Sequence, residues 1–156
     1  MASVRERHAG DGEREDRATG LPDRIVFFDG LCGLCDRSVQ LLLARDGRRR
    51  LHFAPLQGET AGDLRADYPM EFPQGLESLV FCDNTGAGPR FYTRSRASFA
   101  IAREVDSLRG WAWLSVVPRP LTDLAYRALA ASRYALFGRL ETCRVPRPQD
   151  LERFLD

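Results

Sequence analysis

A chain of 156 residues has room for one domain with its own core, and its 23 basic and 22 acidic residues nearly cancel. This balance argues against a nucleic-acid-binding protein, because such proteins concentrate positive charge on one surface. No apolar run approaches the roughly 18 residues of a membrane-spanning helix, and no apolar signal segment opens the chain. We therefore expect a cytoplasmic protein with no nucleic-acid and no membrane partner.

The first 22 residues are expected to differ from the rest of the chain. Residues 1–22 mix arginine with aspartate and glutamate among small residues, and they lack apolar periodicity. Such a segment cannot bury enough apolar surface to fold by itself, so we expect a disordered leader. Residues 23–156 are then expected to form one domain that includes the C-terminal helices.

A buried strand, a turn and a helix are predicted around the segment 29–35. The run at 25–28 is β-branched and aromatic, as in a buried strand, and Asp29 with Gly30 favours a turn. Gly47 is predicted to end the helix in the left-handed conformation. The apolar residues that recur at helical spacing after the turn are Cys35, Val39, Leu42 and Leu43.

The two cysteines of this segment have different predicted surroundings. Cys32 is placed at the helix N-terminus, where unpaired N–H groups and the helix dipole favour a thiolate. Cys35 lies one turn further along, on the core face, shielded from outside partners. Thiol–disulfide exchange needs this asymmetry, because one thiol attacks a disulfide and the other resolves the mixed disulfide. We therefore expect Cys32 and Cys35 to be catalytic.

Asp29 and Gly30 are expected to support this pair by shaping the loop that presents Cys32. The Asp29 carboxylate is expected to accept N–H groups of the turn that follows it. Its negative charge should at the same time oppose formation of a nearby thiolate. Structure and chemistry thus make opposite demands on this residue.

The remaining elements predict an α/β fold. Strand, helix, strand, helix, hairpin and helix is the order of a thioredoxin-like core, in which a βαβ unit and a ββα unit share one mixed four-stranded sheet. The predicted bounds are 51–56 for the second strand, 59–68 for a helix, 76–82 and 90–93 for the two hairpin strands, and 95–108 for the closing helix with Ser95 as its cap.

An added helical region is predicted after this core. An apolar stretch at 111–117 precedes a helix at 122–137 that ends at Gly138, and a last short helix is expected at 149–155. Periodicity assigns a core face to Leu121, Leu124, Ala125, Ala128, Leu129 and Leu136. The other large side chains of this helix either complete the packing of an added layer or cover the redox site.

Two other cysteines and two other functions remain to be weighed. Cys82 is expected to be a small buried hydrophobic residue, whereas Cys143 is either packed or a third redox thiol. A structural zinc site normally needs a second close-spaced ligand pair, which the sequence lacks, so we expect no metal and no other cofactor. A non-catalytic binding module with vestigial cysteines is the alternative from another class.

Several motifs in order resemble those of the DCC family of predicted thiol–disulfide oxidoreductases. They are FFDGLCGLC, HFAPLQ, FYTRSRA, VPRPLTDLAY and RYALFG, followed by Cys143. The resemblance spans about residues 24–155, and the Asp and two cysteines of the family name match Asp29, Cys32 and Cys35. It implies a thioredoxin-like fold and a redox-active dithiol that acts on an unidentified protein or small-molecule disulfide. Thioredoxins proper have a cis-proline before the third core strand, whereas the stretch 75–79 has no proline.

Overall fold

Strands and helices succeed one another in the predicted order through the hairpin. The computed structural model describes residues 20–74, 79–86, 88–138 and 146–156. The elements are β1 (Arg24–Phe28), α1 (Gly33–Arg45), β2 (His52–Pro55), α2 (Glu59–Asp67), β3 (Leu79–Asp83), β4 (Arg90–Thr93), α3 (Arg94–Glu104), a first 3₁₀ segment (Asp106–Val116), α4 (Arg119–Phe137) and a second 3₁₀ segment (Pro148–Arg153).

The four strands form one mixed sheet in the order β2-β1-β3-β4. β1 runs parallel to β2 and antiparallel to β3, and β4 runs antiparallel to β3. The predicted α/β fold with a mixed four-stranded sheet is confirmed, and it is consistent with a thioredoxin-like domain. Since Phe28 is in register with Pro55, the carboxyl ends of β1 and β2 meet at the same edge of the sheet.

The central strand β1 is buried on both faces, which explains its continuous apolar sequence. Val26 and Phe28 belong to one core cluster, which also contains Cys32 and Cys35. Ile25 and Phe27 point to the opposite face and belong to a second cluster. The cysteine pair therefore lies on one defined face of the sheet, directly after its central strand.

The helix α1 stops just before Gly47, as predicted, but Gly47 does not have the predicted left-handed conformation. The helix ends at Arg45, and Asp46 is its C-cap, with its backbone N–H donating to the carbonyl of Leu42. The residue with left-handed backbone is Arg49, at φ 52°. A buried carboxylate explains the difference, because Asp46 accepts a hydrogen bond from the backbone N–H of Leu51 at 2.9 Å and so fixes the connection without help from glycine.

The predicted cap and length of α3 are also wrong. Thr93 is the N-cap, and Ser95 lies inside the helix. The Ser95 hydroxyl donates to the Asp123 carboxylate of α4 at 2.6 Å, so it serves a contact between helices rather than a cap. The helix ends at Glu104, and the first 3₁₀ segment continues the chain where a longer α-helix was expected.

The α4 helix forms as predicted and ends at Gly138, which has a φ of +76°, but its predicted core face is wrong. The side chains of the predicted face are exposed: Leu121, Leu124, Ala125, Ala128, Leu129 and Leu136. The opposite side of α4 faces α3 and α1, and it includes Asp123 and Tyr126. Periodicity shows which residues share a face of a helix, but it does not show which face the rest of the chain covers.

Some predictions fall outside the described residues. These are the leader at 1–19, the start of the third strand at 75–78 and Cys143. Of the predicted leader, Leu21 is described, and it packs half-buried against the core cluster that contains Ile25 and Phe27. Within the described ranges, no helix has the length and apolar character needed to cross a membrane.

Candidate functional site

The turn between β1 and α1 places Cys32 at the N-cap of the helix, directly before its first residue Gly33. The Cys32 N–H donates to the carbonyl of Asp29 at 3.1 Å, which closes the turn, and the Cys32 carbonyl accepts the N–H of Asp36 at 3.0 Å. Cys32 is the N-cap residue, yet its side chain makes no capping hydrogen bond. Its sulfur therefore lies at the positive end of the helix dipole without serving as a structural cap.

Cys35 lies one turn further along α1 and is buried against the sheet. The pKa of the Cys35 thiol is raised from its ordinary 9.0 to about 12. Burial is the largest cause, followed by a hydrogen bond with the Cys32 side chain and by repulsion from the Cys32 charge. Cys35 is thus held in the protonated form at neutral pH, in contact with the sulfur of its partner.

Asp29 holds the loop that precedes Cys32. Its carboxylate, which is 2% exposed, accepts the backbone N–H of Leu31 at 3.1 Å and the amide Nε2 of Gln57 at 2.9 Å. The first bond is the contact with the following turn that the sequence predicts. Gly30 joins the same network, since its N–H donates to Oε1 of Gln57 at 3.3 Å. The charge of Asp29 also raises the pKa of Cys35, although less than burial does.

Gln57 is a site residue that the sequence reasoning missed. It follows β2, and its side-chain amide bridges the carboxylate of Asp29 and the backbone of Gly30. A signal for it was present, because the carboxyl ends of parallel β1 and β2 meet at one edge of the sheet. A polar residue just after Pro55 was therefore placed to reach the loop after Phe28.

The expected difference in exposure between the two cysteines is absent. Cys32 is 0% exposed and Cys35 is 4% exposed, so both thiols are buried. The C-terminal end of α4 lies over the start of α1, where the Gly33 N–H donates to the carbonyl of Gly138 at 3.3 Å. The sequence left two explanations for α4 open, packing and covering of the pair. In the structure its C-terminal end lies against Gly33, the residue next to Cys32. The middle of the helix lines a cavity beside Cys35.

The other candidate residues lie elsewhere or outside the described chain. Cys82 is in register with Ile25, at the end of the sheet opposite to the loop that carries Cys32. Cys82 is fully buried, as expected, and burial raises the pKa of its thiol to about 12. The position of Cys143 is not described, so its role as a third redox thiol stays a prediction. In the described part of the chain, no group of three or more His, Cys, Asp or Glu side chains is placed to hold a metal ion.

Comparison with known proteins identifies the relatives of this chain. A family profile described as DCC1-like thiol-disulfide oxidoreductase matches residues 26–139, which include the motif from Asp29 to Cys35. The chain belongs to the DCC1-like family. This confirms the resemblance that the sequence motifs indicate.

Two curated proteins show how far this similarity extends. The chain is 33% identical over 138 residues to the uncharacterized protein YuxK of Bacillus subtilis, which covers 86% of this chain and 96% of YuxK. It is 31% identical over 123 residues to a chloroplastic DCC family protein of Arabidopsis thaliana, which covers 78% of this chain and 69% of that protein. No solved structure matches the chain significantly. The DCC1-like family name supports a redox role, and the geometry of the site supplies the residues to test.

Proposed function

We propose that this DCC1-like protein catalyses thiol–disulfide exchange, with Cys32 as the attacking thiol and Cys35 as the resolving thiol. The observation that supports this most directly is the placement of Cys32 at the N-cap of α1 with Cys35 one turn away in hydrogen-bond contact. Cys32 lies at the positive end of the helix dipole, and the thiolate is the nucleophilic form of a cysteine. Burial, the largest cause of the raised pKa of Cys35, keeps that thiol protonated while Cys32 attacks.

The reaction needs no group beyond the dithiol. The Cys32 thiolate attacks one sulfur of a substrate disulfide, so a Cys32–substrate disulfide forms and the other substrate sulfur leaves as a thiolate. Cys35 then attacks the Cys32 sulfur, and its proton passes to the second substrate sulfur, which departs as a thiol. A Cys32–Cys35 disulfide forms, and the second substrate sulfur leaves. The substrate has gained two electrons and the protein has lost them.

The surroundings of Cys35 control the step in which its thiol loses a proton. In the resting pair, the Cys32 charge is one of the causes that raise the pKa of Cys35. Once Cys32 carries the substrate sulfur, that charge and the hydrogen bond are gone, and the Cys35 thiolate becomes easier to form. Asp29 and Gly30, held by Gln57, support the turn that keeps the two sulfurs together. We place this chemistry in the cytoplasm, where a reducing environment regenerates the dithiol.

A trapping experiment tests the assignment of the two cysteines. With Cys35→Ser, a disulfide substrate should stay covalently attached to Cys32, because no resolving thiol remains. Cys32→Ser should trap little, and Cys82→Ala should behave like wild type because Cys82 lies at the other end of the sheet. Peptide mapping by mass spectrometry locates the adduct. Adducts on Cys35 in the Cys32→Ser protein, formed as fast as those on Cys32, would reverse the assignment.

Two further measurements separate this function from its alternatives. Repeating the trap with Cys143→Ser shows whether Cys143 takes over the bound substrate, as a third redox thiol would. The reduction potential distinguishes a catalyst from a non-catalytic binding module with the same fold. A catalyst should fall within the range of biological dithiols, roughly −120 to −270 mV.

A further inference from the structure

The end of α4 lies against the residue next to Cys32, and exchange requires a substrate disulfide to reach Cys32. Cys32 has no exposed surface. The backbone of Phe137 and Gly138, the last helical residue of α4 and the residue after it, packs on Gly33, which directly follows Cys32. Substrate access therefore depends on this turn, which we call the α4 end.

The contact between the α4 end and α1 requires glycine at position 33. A Cβ atom at this position would collide with the carbonyl oxygen of Phe137 and would lie 3.3 Å from the carbonyl oxygen of Gly138. Both obstacles are backbone atoms, which cannot rotate away as a flexible side chain can. Gly138 contributes from the other side, because its φ of +76° is a conformation that other residues adopt at a cost.

Among the described residues, two contacts that join the α4 end to α1 are weak ones. The hydrogen bond from Gly33 to Gly138 is long, at 3.3 Å. The Arg37 guanidinium lies over the Phe137 ring at 5.5 Å, and an exposed pair of this kind is worth about 0.5–1 kcal/mol. The neighbouring Leu136 is exposed and adds little burial. A turn held in this way belongs to the part of a structure that opens locally without global unfolding.

The space beside the pair is small. A cavity of about 140 Å³ adjoins Cys35, between α1, β3, α3 and α4. Binding sites for drug-sized ligands are typically about 300–1,000 Å³. A low-molecular-weight disulfide therefore needs a modest displacement of the surrounding chain to reach the pair, and the α4 end is the segment that lies against the residue next to Cys32. A disulfide inside a folded protein brings a broad surface with it and needs the whole turn to leave.

We propose that Gly33 and the α4 end determine which disulfides reach Cys32, and that they favour low-molecular-weight disulfides over those of folded proteins. This inference rests on the proposed function and names its substrate class. Small displacements of the α4 end are populated more often than complete opening. The apparent rate with each substrate therefore scales with the fraction of molecules that are open far enough to admit that substrate.

Labelling with two reagents of equal chemistry and different size tests the inference. N-ethylmaleimide and a maleimide attached to a long polyethylene glycol chain are compared by their rates at Cys32, each divided by its rate with the unfolded chain. In wild type we expect the large reagent to be slower by about tenfold or more after this correction. Gly33→Ala and Gly138→Ala displace the α4 end from opposite sides, and both should bring the two corrected rates close together.

Matched variants separate access from other effects. Gly62→Ala is the control for a glycine inside a helix, because a Cβ there meets nothing within 4 Å, and it should keep the wild-type ratio. Arg37→Ala removes the contact with the Phe137 ring. It should therefore raise the ratio of the large-reagent rate to the small-reagent rate by less than Gly33→Ala and Gly138→Ala do, while the fold is retained. Circular dichroism and thermal unfolding verify that each variant is folded.

Two labelling results would overturn the inference. One is a wild-type protein in which both corrected rates are equal. The other is a ratio that changes in Gly33→Ala but in neither Gly138→Ala nor Arg37→Ala, because the effect would then belong to the residues between the cysteines. Labelling does not need exchange activity, so the two proposals fail separately. A protein with the expected ratios that forms no trapped adduct loses the proposed function, whereas equal turnover of small and protein disulfides by wild type refutes only the size selection.

Discussion

The sheet buries its apolar side chains, whereas the α4 helix leaves large apolar side chains exposed. Phe27 in the central strand is completely buried, whereas Leu124 in α4 is 64% exposed and Leu136 is 68% exposed. The sheet is held together by apolar packing on both faces. The described contacts of α4 with the rest of the domain include polar and backbone ones, from Ser95 to Asp123 and from Gly33 to Gly138.

Because of this difference, the residues that stabilise the fold differ from those expected to control access to the cysteine pair. Apolar burial of about 25 cal/mol per Å² is the main source of folding free energy, so the sheet carries most of the stability. A helix that exposes most of its leucine side chains can shift without exposing much further apolar surface. We therefore expect the end of α4, which lies next to Cys32, to be displaced at a lower cost than the sheet.

The largest expected effect contrasts one buried and one exposed side chain. Phe27→Ala should lower the free energy of unfolding by about 3–5 kcal/mol, because it leaves a cavity and removes the edge-to-face contact with Phe72 at 5.4 Å. Leu124→Ala should change it by no more than about 0.5 kcal/mol, since its side chain is exposed and alanine favours a helix. Urea denaturation measures both. A similar loss for the two variants would show that another surface covers α4.

The second prediction concerns the chain after α4, where tight packing returns. Arg153 forms a buried ion pair with Asp46 at 2.5 Å, and its Nε donates to the carbonyl of Leu51 at 3.0 Å. Arg153→Met should cost about 3 kcal/mol, because it leaves the Asp46 charge buried without its partner. The double variant with Asp46→Asn should recover part of this loss. Denaturation of wild type, the two single variants and the double variant measures the coupling between Arg153 and Asp46. Strictly additive losses of unfolding free energy would contradict this coupling.

Local sequence patterns account for most of the core and for the place of the reactive pair. The apolar run at 25–28 and the helical spacing after Cys35 are short-range signals, and the contact from Asp29 to Leu31 spans two residues. The contact of Gln57 with Asp29 could be inferred only through the parallel pairing of β1 and β2. Predicting this contact requires the sheet topology as well as the sequence.

The contacts that sequence could not predict join distant parts of the chain. Arg153 and Asp46 are 107 residues apart, and neither position carries a local signal of a buried partner. The same holds for the approach of Gly138 to Gly33. The periodicity of α4 was recognised, yet its apolar side was assigned to the interior because polar and backbone contacts, which decide its orientation, have no periodic pattern.

A smaller effect is expected from the buried thiols at alkaline pH. In the folded protein the pKa of Cys82 is raised to about 12, whereas a thiol in the unfolded chain titrates near 9.0. The stability that comes from keeping this thiol neutral is present below pH 9 and is lost as the pH rises from 9 towards 12. The loss is about 1.4 kcal/mol per pH unit for each such thiol.

Cys82→Ala isolates this contribution. Between pH 8 and pH 10 the reduced variant should lose about 1.4 kcal/mol less unfolding free energy than reduced wild type. The reason is that one of the two described thiols with a raised pKa is gone. Urea denaturation at both pH values, with reductant present, gives the difference. Other titrating groups are the same in both proteins and cancel. Equal losses would mean that Cys82 meets solvent more readily than its burial in the sheet implies.

The smallest expected effect lies at the boundary between the two regions, at Asp29. Asp29→Ala removes the acceptor for the Leu31 N–H and the Gln57 amide, and loss of such an acceptor typically costs about 0.5–2 kcal/mol. Asp29→Asn keeps an acceptor oxygen in the same place, so we expect it to be nearly as stable as wild type.

The Asn variant also separates the charge of Asp29 from its structural role. The Asp29 charge is one cause of the raised pKa of Cys35, so Asp29→Asn should lower that pKa, while burial, the largest cause, keeps it above 9.0. Alkylation of Cys35 against pH, in a Cys32→Ser background with and without Asp29→Asn, measures the shift. Cys32 in the otherwise native protein should be alkylated faster below neutral pH once this negative charge is removed. If Asp29→Asn slows alkylation instead, the carboxylate accepts a proton from the dithiol, and its role is chemical as well as structural.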